Sequence, residues 1–244
     1  MRRLALCLLL SGCASAPPLV AGGSSRAAPV VVDGRADEWG ATLVAVAGQP
    51  LTVGVRSDAE AVTVAAVMTD PAVVREAVRH GLVVWLDPAG GRRRALGVQV
   101  PVHDGAPPDA DLERLVAAPA RVAVTRDGAR TVYAADGAPG VAVATGLDRG
   151  AYVVELRVPL GGGRYGLGGA PGATVGLGVE TASAPRDDLR ARTEARADRG
   201  AAAPGRGSAS AQRGTGADPD GEGARRARTE ASRVALWLRV ALAG

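Results

Sequence analysis

The sequence predicts an all-β fold: an antiparallel β-sandwich of jelly-roll-like type, with one or two short helices and a long disordered insertion before the last strand. Three observations predict it. Apolar and polar residues alternate with period two in several separate runs. Gly, Pro and Asp punctuate the chain between those runs, as they do between the strands of sandwiches. The segments with helical spacing are too short to change the class.

The elements follow in order. Leu51, Val53 and Val55 alternate with Thr52, Gly54 and Arg56, and Val62, Val64 and Ala66 resume after the turn-like Ser57-Asp58-Ala59-Glu60. Pro71 to His80 places Val73, Val74, Ala77 and Val78 on one helical face, with Asp70 as N-cap and Gly81 as stop. Asp111 to Ala118 has room for one or two turns. Tyr152, Val154, Leu156, Val158 and Leu160 give the clearest strand, opposite Glu155 and Arg157. Val175, Leu177 and Val179 alternate with Gly176, Gly178 and Glu180. The last run, Val234 to Leu242, is apolar enough for a central strand.

Residues 183–232 break this pattern. Leu189 is their only large aliphatic, and ten Arg and eight Asp/Glu are mixed with small residues. Such a segment buries too little apolar surface to offset its ordering entropy, so it reads as a disordered insertion. A charged helix over Asp188 to Arg199 is the alternative. The sandwich domain is therefore expected over 29–182 plus 233–244.

Composition narrows the chemistry. The chain has 244 residues, 47% of them hydrophobic but only 2% aromatic, with three Trp, three Tyr and no Phe. Val, Leu and Ala must build the core. All 29 basic residues are Arg, which excludes a P-loop lysine, a Schiff-base lysine and a Ser–Lys dyad. The net charge of +4 is small beside the number of charged side chains.

The N-terminus carries an export signal. Arg2 and Arg3 precede the short apolar run Leu4 to Leu10, far below the roughly 20 residues that span a bilayer. The sequence Leu10-Ser11-Gly12-Cys13 resembles the lipobox of bacterial lipoproteins, which are cut before a Cys that carries the lipid. That resemblance implies a signal peptide over 1–12, lipidation (palmitate included) at Cys13, and anchoring on the exported side of the cell membrane or outer membrane. An ordinary secretory signal cut near Ala14-Ser15-Ala16 is the alternative. Ala14 in place of Asp leans toward the outer membrane. The only other Cys, Cys7, would leave with the signal, so the mature chain would hold no thiol. Small, Pro-, Gly- and Ser-rich residues to position 28 read as a flexible tether.

The domain opens with Val30-Val31-Val32-Asp33-Gly34-Arg35-Ala36-Asp37-Glu38-Trp39: a short strand, a tight turn, an acidic pair and a Trp. Gly81-Leu82-Val83-Val84-Trp85-Leu86-Asp87-Pro88, the stretch from Leu96 to Pro101, and Tyr152 to Leu160 follow. In this order the segments resemble family 9 carbohydrate-binding modules and DOMON-like sandwiches, over about residues 30–182 and the closing strand. The resemblance implies a β-sandwich, sugar binding between aromatic rings and, in some members, calcium. Trp39, Trp85 and Trp237 sit in strand or turn contexts that read as core more than as ligand platform. Tyr133 and Tyr165 lie nearer loops and are the better candidates for exposed, ligand-binding aromatics.

For metal, Asp33, Asp37 and Glu38 are close enough to share a hard cation such as calcium, though not with EF-hand spacing. No other cofactor is expected. His80 and His103 have no Cys to complete a zinc site, and with Met68 they form no recognisable haem ligand pattern. No G-x-S-x-G elbow is present. Arg92-Arg93-Arg94 reads as a solvated turn. Export makes nucleic acid an unlikely partner and anionic lipid or polysaccharide a more sensible one. The expectation is thus a membrane-anchored, non-catalytic envelope module that binds or assembles with polysaccharide or another envelope protein. The alternatives are a carbohydrate-binding module proper and, further off, a haem-binding or enzyme accessory domain.

Overall fold

The computed structural model describes residues 30–103, 111–117, 121–182 and 233–243, together with the backbone of Leu19–Val20. The signal peptide, Cys13, most of the tether and the 183–232 insertion lie outside the described residues.

The strands are β1 (Leu19–Val20), β2 (Leu43–Ala45), β3 (Thr52–Ser57), β4 (Ala61–Met68), β5 (Leu82–Asp87), β6 (Leu96–Val102), β7 (Arg121–Arg126), β8 (Ala129–Ala134), β9 (Ala142–Asp148), β10 (Ala151–Pro159), β11 (Thr174–Thr181) and β12 (Ala235–Ala241). Helices α1 (Pro71–His80) and α2 (Leu112–Ala117) and a 3-10 turn at Gly40–Thr42 complete the elements. The strands form a seven-stranded sheet, β1-β12-β11-β5-β6-β7-β8, and a five-stranded sheet, β2-β3-β4-β10-β9. Every pairing is antiparallel except β1 with β12. The chain makes one meander in each sheet. It then adds a strand pair to each meander, β10 beside β4 with β9 outside it and β11 beside β5 with β12 outside it.

The alternation seen in the sequence is the inside–outside alternation of the strands. Tyr152, Val154, Leu156 and Val158 on β10 stand opposite Met68, Ala66, Val64 and Val62 on β4, and all eight are buried between the sheets. Leu82, Val84 and Leu86 on β5 and Val175, Leu177 and Val179 on β11 supply the facing layer. Asp70 caps α1 by accepting from the backbone N–H of Ala72 and Val73, and Gly81 ends it at φ 85°. Val73, Ala77 and Val78 pin the helix on the core. No helix among the described residues is long and apolar enough to cross a membrane.

One expectation needs correction. β12 is not central: only the two-residue β1 lies outside it. It is apolar on both faces because Val240, with the partly buried Leu236 and Leu238, packs inward on the core while Trp237 points outward, against Gly178.

Candidate functional site

The opening motif is a structural clasp over the outer face of the smaller sheet. Glu155 on β10 is fully buried there. Its Oε2 accepts the backbone N–H of Asp33 (2.9 Å) and Gly34 (2.7 Å), and its Oε1 accepts the indole N–H of Trp39. Trp39, 1% exposed, lies across Gly54 on β3, where a Cβ would strike its ring. Gly34 sits at φ 81°, in the left-handed region that glycine tolerates, and presses against the Thr145–Gly146 backbone. Burial pushes the Glu155 carboxyl above its usual range, against the pull of its three donors and with Glu38 adding to the push.

The acidic residues of the motif are dispersed by this geometry. Asp33 accepts the N–H of Arg35, Glu38 accepts the N–H of Val31, and Asp37 pairs with Arg35 and Arg149 at 2.8 Å each. The hydrogen bond from Arg35, opposed by desolvation and helped by Arg149, holds the Asp37 carboxyl below its usual range. Asp37, Asp148 and Arg149 edge an open concavity of about 460 Å³. Among the described residues no three His, Cys, Asp or Glu side chains are grouped to hold a metal ion.

The tyrosines are also corrected. Tyr165 is 3% exposed and belongs to the core, where the loop after β10 folds back on the strand end, Leu167 N–H donating to the Pro159 carbonyl and Gly169 N–H to that of Leu160. Tyr133 is half-buried on β8, and the two hydroxyls meet at 2.6 Å with the rings edge to face, 6.0 Å apart. The two rings pack on each other, with Tyr165 in the core and Tyr133 against it.

Two partly exposed tryptophans lie elsewhere, on the outer face of the seven-stranded sheet. One cross-strand row reads Trp237 (β12), Gly178 (β11), Trp85 (β5), Gly97 (β6), Thr125 (β7) and Arg130 (β8). Residues directly opposite share a face, so both tryptophans stand on it. Each ring lies over the glycine of the neighbouring strand. A Cβ on Gly178 would come within 2.8 Å of the Trp237 ring, and one on Gly97 would strike the six-membered ring of Trp85. Both rings lean the same way and are two strand spacings apart, about 10 Å. Both are half-buried, so neither is an interior residue as the sequence suggested. Sequence reasoning missed the pairing, although the Gly-x-Gly alternation of Gly176 and Gly178 was visible as a strand face without side chains.

Polar groups frame this row. The Trp85 indole N–H donates to Glu180 Oε1 (2.7 Å), Arg94 donates to Glu180 Oε2 (2.7 Å), and the Arg94 guanidinium stacks 5.5 Å above the Trp85 ring. The turn that carries Arg94 is folded onto the sheet. Asp87, 2% exposed, accepts the N–H of Ala89 and of Arg93 (2.9 Å), and Gly91 sits against Gly176, which has no side chain to push it away. Arg239, opposite Gly176, stands on the same face. Arg92-Arg93-Arg94 is thus a built turn beside the tryptophans.

The chain matches no protein-family model and no curated protein. Among solved structures it is similar to a family 9 carbohydrate-binding module from Caldicellulosiruptor kristjanssonii in complex with glucose, at 17% identity, over 68% of this chain and 78% of that one, with a TM-score of 0.36. It is similar to the same organism's module in complex with cellotriose at 16% identity, over 66% and 74% of the two chains, with a TM-score of 0.34.

Proposed function

We propose that the protein is an exported, lipid-anchored, non-catalytic module that binds polysaccharide on the outer face of its larger sheet. One observation carries the reading: Trp237 and Trp85 lie flat in the same sense on one cross-strand row, each over a glycine. The faces of a pyranose ring carry C–H groups that pack on an indole face, and the sugar's equatorial hydroxyls need polar side chains at the rim. Trp237 supplies the ring face, bare Gly178 backbone leaves room beside it, and Arg94 and Glu180 supply the rim. The Leu10-Ser11-Gly12-Cys13 sequence supports the anchor.

Retention of the whole chain on immobilised polysaccharides tests the reading. Trp237→Ala should lower retention at least about tenfold while the melting temperature stays close to wild type, since a half-exposed ring on an outer face contributes less stability than a core aromatic. A wild-type chain retained by no polysaccharide would reject the proposal.

A further inference from the structure

Resting on that reading, we infer that the glycan is acidic: a linear polysaccharide bearing carboxylates, with a sugar ring on Trp237 and its anionic groups meeting the arginines beside it.

Among the described residues the charge on this face is mostly positive. Arg92, Arg93, Arg94 and Arg239 stand beside Trp85 and Trp237, and the acids near them are Asp87 and Glu180. Asp87 is spent on the backbone of the arginine turn and is closed off from solvent. Glu180 is engaged by Trp85 and Arg94. Arg92, Arg93 and Arg239 are exposed and make no ion pair among the described residues.

A merely solvated turn would not be built this way. The buried Asp87 carboxylate fixes the turn from beneath, and Gly176 keeps its strand bare so that Gly91 can settle there. The result holds Arg94 over the sheet face and brings the exposed Arg92 and Arg93 to its margin, where the row Arg239–Gly176–Asp87 runs next to the row Trp237–Gly178–Trp85. A guanidinium offers a planar fork of donors that matches a carboxylate in two parallel hydrogen bonds. Neutral glycans use rings and hydroxyls alone and have no need of unpaired cations. A polymer with a carboxylate on successive sugars meets Trp237 with a ring and the neighbouring arginines with its charges.

The test is calorimetric titration of the whole chain carrying Cys13→Ser with three probes: a neutral β-1,4-glucan hexamer, a β-1,4-linked oligouronate of the same length, and phosphatidylglycerol vesicles. The expected result is oligouronate binding at least about tenfold tighter than the neutral hexamer at low salt, with the difference shrinking as salt screens the arginines. Arg239→Gln and Arg93→Gln should each weaken the oligouronate several-fold and leave the neutral hexamer unchanged, whereas Trp237→Ala should weaken both. Denaturant melts of each variant establish that the fold is retained. Equal affinity for the two hexamers, or oligouronate binding indifferent to the arginine variants, overturns the inference and leaves the polysaccharide reading standing. Binding of neither hexamer overturns both. Binding to vesicles that depends on Trp237, without glycan binding, assigns the face to a lipid surface and also overturns both.

Discussion

Glu155 is the residue on which the opening motif depends. It stands on the outer face of β10, where alternation alone would leave a charge in solvent, yet it is fully buried beneath Asp33, Gly34 and Trp39. Removing it would leave three donors without an acceptor, and a buried unsatisfied donor costs about 1–3 kcal/mol. Glu155→Ala is therefore expected to destabilise the domain by at least about 2 kcal/mol in denaturant melts. Glu155→Gln, which keeps one acceptor oxygen, should lose less. Trp39→Ala should cost about 3–5 kcal/mol, as for other buried large aromatics. The pH dependence has a definite sign. Burial raises the carboxyl above its unfolded value, so the folded state holds this proton more tightly. The stability contribution is fully present below the unfolded value and is lost as pH rises through the folded one. Melting temperatures followed upward from the ordinary carboxylate range should fall along this slope in the wild type, and Glu155→Gln should flatten it.

At the scale of elements, legibility followed packing. β4, β10 and β11 were readable because one face of each meets the opposing sheet, which imposes period two, and α1 because Asp70 and Gly81 mark its ends with side-chain and backbone chemistry. β7 to β9 carried weaker signals: Arg121, Arg126, Arg130 and Asp148 lie within them, and β8 and β9 edge their sheets with few buried positions. The proposed binding face was not legible, because it depends on which strands are neighbours. Trp85 and Trp237 are 152 positions apart and meet across Gly178 only through the pairing of β11 with both β5 and β12. The same pairing bears on the 183–232 insertion. Its flanks are joined: Thr181 N–H donates to the Val234 carbonyl at 2.9 Å, and Val234 N–H to the Thr181 hydroxyl at 3.0 Å. A short Gly/Ser link can close that gap, and shortening a loop changes closure entropy only logarithmically. Deletion of 183–232 with such a link is expected to leave the melting temperature within a few degrees of wild type. A large fall would mean that the segment packs on the domain.

At the scale of the whole molecule, β1 bears on where the domain would stand relative to a membrane. β1 pairs in parallel with β12, Leu19 opposite Val240 and Val20 opposite Ala241. A lipid on Cys13 would then be joined to the sheet by only the residues between Cys13 and Leu19, whose fully extended reach is about 20 Å. A tether free as far as residue 28 would reach more than twice that distance. With a lipid on Cys13, the pairing would bring the β12 edge, with Trp237 and Arg239 on its outer face, near the bilayer surface, and the tryptophan row would run away from that edge across β11 and β5 toward β6. Such a placement suits polymer lying close to the membrane. Multiple acyl chains on one Cys anchor firmly, since each buried methylene contributes about 0.8 kcal/mol. Cys13→Ala should therefore move the protein from the membrane fraction to the soluble exported fraction with its fold and glycan affinity unchanged. Unaltered membrane association in that variant would show that the anchor is not at Cys13, and would remove the reason for placing the β12 edge beside the bilayer.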